Sequence, residues 1–447
     1  MKFIVNCVYL LAAAAISPVV LYRMLRHKRY RTGWANRFGK ITRKNPEKKC
    51  IWLHAVSLGE VNAATTLIEQ LKTQLPDFEI VISTTTDTGF ARANALFGKD
   101  LQLFYFPFDF SCTMHRAFCN IQPAICLLME LEVWPNLVQI ARQLNIPVVV
   151  VNGRISDKSF SKYIKIKPIA KRIFQKVDLV LAQTDQYAQR FREIGSPANQ
   201  VVVTGSLKYD TAQITDKVEG ADILAEQLFV KIENRKSKIE NPLWVAGATG
   251  NNDEEKIILD VYRDLKQKFP NLRLAIVPRK PERFDEVAQL IIQTGLGLFR
   301  YSHLKESAPA KSIINHQSSI DSVILGDTMG DLRKFYSLAS IIFVGRSLVP
   351  MGGSDMMEAA ALGKCTVFGP YAFNFQQTVD ALLAGQGAIM VKDQQDLLQT
   401  MHKCLLEPNF AQTIARNGQQ IIRKNQGATS RTIKAIVGLL NTKTHQK

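Results

Sequence analysis

The sequence predicts an α/β protein built from two doubly wound, parallel-sheet (Rossmann-like) domains behind an N-terminal membrane-anchor helix. Three observations carry this. Short apolar runs alternate with helical patterns from Cys50 onward, the mark of a parallel sheet covered by helices on both faces. A polar, strand-free stretch interrupts that alternation once, and 447 residues exceed what one hydrophobic core usually supports. The first 22 residues, by contrast, are almost wholly apolar.

The anchor and its basic flank are assigned to residues 1–31. About twenty mostly apolar residues from Phe3 to Tyr22 suffice to cross a ~30 Å hydrocarbon core. "AAAA" runs on into "ISPVVLY" with no polar sequence behind it, unlike a cleaved signal peptide. Asn6 and Pro18 also allow a helix lying in one leaflet. Because the basic residues follow the apolar run, the positive-inside rule keeps the remainder cytoplasmic, with Arg23 to Arg31 among anionic head groups.

The first domain, 32–210, holds strands at "CIWLHAV", "EIVISTT", "LQLFYFPFD", "AICLLME", "IPVVVVNGR", "LVLAQ" and "VVVTGS". The connection, 211–240, is polar and charged. The second domain, 241–447, carries strands at "PLWVAGAT", "LRLAIVPR", "SVILGDT", "SIIFVGR", "CTVFGP" and "GAIMV". Two such domains are expected to face each other across a cleft at the carboxyl ends of their strands, where ligands bind.

The net charge of +18 raises nucleic acid, anionic membrane and phosphorylated ligands as partners. Residues 1–50 hold twelve Lys or Arg against the single acid Glu47, so that +11 of the +18 sits beside the apolar start. The rest is spread thinly and shows no nucleic-acid-binding signature, which excludes nucleic acid as the expected partner. The seven cysteines form no C-x-x-C pair, so neither a zinc site nor a thioredoxin-like motif is predicted, and the chain fits a reducing cytosol. Cys112, Cys119 and Cys126 are expected as small core residues.

The chemistry-bearing motifs fall at strand ends. After "IWLHAV", the turn "SLGE" places Glu60 in the first turn of a helix, either as a partner of the helix dipole or as a general base within reach of a substrate hydroxyl. The dinucleotide fingerprint G-x-G-x-x-G is absent there. "MELEVWPNL" ends a strand with Glu130 and Glu132, for which a structural or acceptor-binding role is expected rather than a metal. The segment behind "VNGRISDKS" interleaves Lys158, Lys162, Lys165, Lys167, Lys171, Arg172 and Lys176 with Phe160, Tyr163, Ile164 and Ile166, a solvated face or a membrane-facing one.

In the second domain "VPRKPERF" puts Arg279 at a strand end, a surface residue or a bidentate phosphate ligand. "VGRSLVPMGGSDMMEAAALGK" joins a glycine loop to a helix from about Asp355, with Glu358 one turn in. It reads as a nucleotide-sugar loop with free N–H groups for an anion, or as a glycine turn before a core helix.

Together, "HAVSLGE", "ELEVWPNL", "GSLKYD", "VPRKPERF", "GDTMGDL", "SLVPMGG" and "FGPYAFNF", in this order behind an N-terminal anchor, resemble the 3-deoxy-D-manno-octulosonic acid (Kdo) transferases over nearly the whole chain. The resemblance implies a GT-B fold and an enzyme anchored at the cytoplasmic face of the inner membrane. The implied reaction moves Kdo from CMP-Kdo to a lipid A precursor (lipid IVA), with inversion and with no cofactor or essential metal. It also implies Glu60 as catalytic base. The implied CMP contacts are Pro278, Arg279, Met329, Gly330, Asp331, Asp355, Met356, Met357 and Glu358. Lys208, in "GSLKYD", is added here as a phosphate contact on its position alone.

The chain departs from the family where "GGHNPLE" becomes "GGSDMME" (Ser354, Asp355), where "STHEGEE" becomes "ATGNNDEE", where Arg346 replaces a glycine and where Asp331 replaces a glutamate. An added carboxylate at 355 repels phosphate unless it caps the helix. Two alternatives follow: a related transferase using another nucleotide-activated sugar, or a weakly catalytic paralogue that binds lipid A precursor.

Overall fold

The computed structural model describes residues 2–26, 32–215, 217–228, 241–306 and 322–444. Lys28, Arg29 and Arg31 of the basic flank and much of the 211–240 connection lie outside the described residues.

The first unit comprises Met1–Thr211 together with Asn425–Lys447. Its strands are β1 (Lys49–His54), β2 (Phe78–Thr84), β3 (Gln102–Tyr105), β4 (Ile125–Met129), β5 (Val148–Gly153), β6 (Leu179–Ala182) and β7 (Val201–Val203). They form one parallel sheet in the order β3-β2-β1-β4-β5-β6-β7. Successive side chains of a strand point to opposite faces, and both faces are covered. Cys50 and Trp52 enter one core with Phe118 and Leu137, whereas Ile51 and Leu53 enter another with Leu67 and Ile68. Continuous apolar runs such as "VVVV" in β5 follow from that double burial.

The second unit, Ala212–Lys424, repeats the plan. Its strands are β8 (Leu243–Thr249), β9 (Arg273–Pro278), β10 (Leu298–Arg300), β11 (Val323–Leu325), β12 (Ile341–Val344), β13 (Cys365–Phe368) and β14 (Ile389–Met390). They pair in the parallel order β10-β11-β9-β8-β12-β13-β14.

Three details differ from the sequence reading. Residues 425–447, assigned above to the second domain, group with the first unit. Ile433 and Ile436 of the helix Ala428–Thr444 join the core of Leu67 and Leu71, and the Asp210 carboxylate accepts the Gly427 and Thr429 N–H groups at 2.7 and 2.5 Å. Strand β10, only three residues long, is not among the strands the sequence predicts. Cys112 and Cys119 face outward from the helix Ser111–Ile121, leaving Cys126 as the core residue of the three.

The N-terminal helix, Lys2–Arg26, is long and apolar enough to cross a membrane. In each sheet the strands after the first one, β1 or β8, are added on one side of it, and the chain then crosses to its other side with β4 or β12. The carboxyl ends of β1 and β4, and of β8 and β12, are therefore the topological switch points at which α/β sheets bind ligands.

Candidate active site

At the first unit's switch point three carboxylates meet. Glu60 sits in the first turn of the helix Leu58–Gln74, capped by Ser57. The Ser57 hydroxyl donates to Glu60 Oε1 at 3.0 Å and accepts the Glu60 N–H at 3.4 Å, while Oε2 accepts the Val56 N–H at 2.9 Å. The S-x-x-E spacing thus forms a variant of the capping box. Burial pushes the Glu60 carboxyl up to about 7. The Val56 and Ser57 hydrogen bonds restrain the rise, and the Glu130 and Glu132 carboxylates beyond β4 add to it. A half-buried carboxyl that titrates near neutrality can hold or release a proton at working pH.

Glu130 has a left-handed backbone (φ 53°), and its N–H donates to Val151 O at 2.9 Å. Glu132 accepts the Trp134 indole N–H at 3.0 Å; burial raises its carboxyl, and Glu130 raises it further. His54, at the end of β1, went unremarked in the sequence. It is fully buried, stacked on Phe106 with ring centroids 3.8 Å apart, and burial pushes its imidazole down to about 3. Its Nδ1 lies 3.1 Å from Ser83 O and 3.0 Å from Ser83 Oγ. Its Nε2 faces Glu132 Oε2 at 4.0 Å. An interior histidine at a strand end gives no periodic signal, which is why only the fold exposes it. Lys208 opens the short helix Lys208–Thr211 after β7 and is half-buried.

In the second unit the loop after β12 is held by a residue absent from the predicted site. Glu254, fully buried, accepts the N–H groups of Arg346 (2.6 Å), Ser347 (2.8 Å) and Leu348 (3.0 Å). Its acidic neighbours in "NNDEE" had concealed it. Arg346 lies at φ 62°, the left-handed conformation that suits glycine. Its side chain lies beside Arg279, and its Nη2 donates to Met351 O at 3.2 Å. Arg279 is exposed at the end of β9, its N–H bonded to Thr249 O at 2.9 Å; Pro278 before it is buried.

The GGSDMME loop resolves the question of Asp355. Its Oδ1 accepts the Met357 N–H at 2.9 Å, so this carboxylate is committed to the first N–H of the helix Met357–Ala361, whose N-cap residue is Met356. That helix begins two residues later than expected, and its Met357 N–H is engaged rather than open to an anion. Ser354 is buried and donates to Ala248 O at 3.1 Å. Met356 and Met357 are buried, whereas Glu358 is half-buried; burial raises its carboxyl, Arg333 opposes the rise and Asp355 adds to it.

In "GDTMGDL", Met329 is 63% exposed and Gly330 adopts φ 91° with open space around it. Asp331 is buried, accepting from Thr328 Oγ1 at 2.6 Å and pairing with Lys334 Nζ at 3.0 Å. Tyr371 and Phe373, 41% and 59% exposed, stand on the loop tied to the β12 loop by Tyr371 N–H to Ser347 O and Asn374 N–H to Gly352 O. Within this unit the structure therefore gathers Arg279 with Arg346, and Asp355 with Glu358. Among the described residues no group of three or more His, Cys, Asp or Glu side chains could hold a metal ion.

Solved structures match this architecture. UDP-N-acetylglucosamine 2-epimerase from Neisseria meningitidis superposes with a TM-score of 0.55 at 14% identity, over 87% of this chain and 100% of that one. Acinetobacter baumannii MurG gives 0.53 at 16%, over 88% and 99%. Such likenesses speak to fold alone, and with the two parallel seven-stranded sheets they define a GT-B-type fold.

The sequence comparisons are more specific. The family model for 3-deoxy-D-manno-octulosonic-acid transferase (kdotransferase) matches residues 32–211. The 3-deoxy-D-manno-octulosonic acid transferase of Haemophilus influenzae is 33% identical over 413 residues, 92% of each chain. That of Bordetella pertussis is 31% identical over 444 residues, 96% of this chain and 98% of the relative. The protein is thus a glycosyltransferase of the GT-B class. It belongs to the Kdo transferase family.

Proposed function

We propose that the chain transfers Kdo from CMP-Kdo to lipid IVA, the lipid A precursor of lipopolysaccharide, with inversion and with Glu60 as general base. The observation that carries the assignment of the base is the Glu60 carboxyl, half-buried at the β1 switch point beside Glu130 and Glu132 and titrating near 7. Ionised Glu60 takes the proton of an acceptor glucosamine hydroxyl, and the oxygen attacks the anomeric carbon of Kdo. The bond from that carbon to the phosphate oxygen breaks, and CMP leaves with the electron pair.

The leaving phosphate is assigned to Arg279, with Arg346 adding charge and Lys208 as a further contact. Pro278, Met329, Gly330, Asp331, Asp355, Met356, Met357 and Glu358 are assigned to the CMP moiety, with Glu358 accepting from the ribose hydroxyls. Lys2–Arg26 is assigned as the inner-membrane anchor, with both units on the cytoplasmic side. Exposed Ile164, Ile166 and Ile169, set among Lys162, Lys165 and Lys167, suit the same lipid surface.

Arg346, Ser354 and Asp355 favour one second reading, a sister transferase with a different nucleotide-activated sugar. Release of CMP from CMP-Kdo, followed with and without tetra-acylated lipid A precursor, separates the two. Acceptor-dependent release is expected. Turnover of another nucleotide sugar but not CMP-Kdo would replace the donor, and acceptor binding without any turnover would leave a binding protein.

A further inference from the structure

Resting on the membrane reading above, we propose that the N-terminal helix lies along the cytoplasmic leaflet instead of crossing the bilayer, because its first turns are latched to the first unit. Asn6 and Tyr9 are the latch. The Asn6 amide uses both ends: Oδ1 accepts the Ser111 N–H and the Asn136 Nδ2, each at 3.0 Å, and Nδ2 donates to Ser111 Oγ at 2.7 Å. The Tyr9 hydroxyl donates to Asp109 Oδ2 at 3.0 Å, and its ring meets Phe110 edge-on at 5.9 Å.

Asp109 is 7% exposed and also accepts the N–H groups of Asn136 (2.9 Å) and Leu137 (2.8 Å) at the start of the helix Pro135–Gln143. One turn earlier, the Lys2 ammonium donates to the Gln143 side chain. Drawing Asn6 and Tyr9 into hydrocarbon would strip hydrogen bonds from these partly buried groups on both sides. The amino end of the helix is therefore on the same side of the membrane as the first unit.

The other end is tethered to that unit as well. The Thr32 hydroxyl donates to Tyr105 OH at 3.3 Å, six residues beyond Arg26. Six residues reach at most roughly 22 Å. From Leu10 to Arg26, 17 residues remain beyond the latch. They span roughly 25 Å as a helix, at the lower limit of what crosses a ~30 Å hydrocarbon core. A helix latched at its start cannot place its start on the far face, and one returning within six residues cannot place its end there.

What this arrangement leaves open is an apolar surface. Leu10, Leu11, Ile16, Val19 and Leu21 are each at least 50% exposed, and Arg26 is exposed at the end of the helix. Tyr163, on the helix Asp157–Lys165 that carries exposed lysines, lies near Tyr9. The occupant that suits an apolar helix flanked by cations is the boundary between head groups and acyl chains of an anionic leaflet.

The test uses full-length protein in sealed inner-membrane vesicles. The variant carries Lys2→Cys, with Cys7, Cys112 and Cys119 changed to Ala, and the probe is a membrane-impermeant maleimide. Residue 2 is expected to label in inverted vesicles without detergent and to resist labelling in right-side-out vesicles; the opposite pattern, or labelling only after detergent, would overturn the proposal. Adding Asn6→Leu and Tyr9→Phe is expected to bring labelling from the periplasmic side, and unchanged labelling would overturn the latch. Co-sedimentation of the unaltered protein with phosphatidylethanolamine–phosphatidylglycerol vesicles tests the anchor itself. Failure to sediment sinks the membrane reading, whereas sedimentation with periplasmic labelling sinks only the in-plane helix.

Discussion

Ser57 and Glu60 each satisfy a group on the other: the Ser57 hydroxyl donates to Glu60 Oε1 at 3.0 Å and accepts the Glu60 N–H at 3.4 Å. Glu60 is consequently both a structural cap and the proposed base, and substitutions can separate the two roles. Glu60→Ala is expected to lower stability by about 1 kcal/mol through the lost acceptor for the Val56 N–H and the Ser57 hydroxyl. Glu60→Gln can turn its amide oxygen to the Val56 N–H and its NH2 to the Ser57 hydroxyl oxygen, which can accept, and is expected to unfold near wild type in urea. Both should lose ~10²–10⁴-fold in turnover. Normal turnover in a well-folded Gln variant would remove Glu60 as base.

The carboxylates around Glu60 set its working pH. Burial first, and then Glu130 and Glu132, hold its carboxyl up at about 7, so activity should rise as pH increases through that value and the base ionises. Glu132→Gln removes one neighbouring charge, and the acid limb of kcat/KM should move to lower pH. The linked stability runs the other way. A carboxyl raised on folding from an ordinary 4.5 to about 7 contributes stability that is complete below 4.5 and disappears as pH rises through 7. Glu60→Gln should flatten that slope in urea titrations between these limits.

Glu254 supports the β12 loop through three N–H groups. Glu254→Ala leaves them buried without a partner, a loss on the order of 2 kcal/mol or more. Donor KM should rise more than kcat falls, because the loop assigned to the nucleotide is disturbed while the proposed base is untouched. An unchanged donor KM would separate this loop from the donor.

Arg346 gives opposite signs for stability and binding. At φ 62° its strain of ~1–2 kcal/mol exceeds the ~0.4–1 kcal/mol that glycine's freer unfolded chain takes back. Arg346→Gly should therefore raise Tm while weakening donor binding, since the cation beside Arg279 is gone. Tighter CMP-Kdo binding in that variant would mean that Arg346 opposes this donor.

Most strands were legible in the sequence because burial on both faces writes a continuous apolar run, as in Ile125–Met129 and Val148–Val151. Leu298–Arg300 was not, being three residues with only partial burial at a sheet edge. Glu60 and Arg279 stood out because a lone charge ends an apolar run. Glu254 and Asp109 did not, since a carboxylate committed to backbone N–H groups looks like any surface acid until its partners are known. Asp355 shows the same limit from the other side: the added charge was visible, but its bond to the Met357 N–H needed the backbone.

The most direct test of the central claim is mass spectrometry of the products formed from CMP-Kdo and tetra-acylated lipid A precursor by the wild-type chain and by Glu60→Gln. The account predicts a Kdo-bearing lipid from wild type and none from the variant under matched conditions. Equal product from both would contradict the assignment of the base, and no product from the folded, acceptor-binding wild type would contradict the proposed reaction itself.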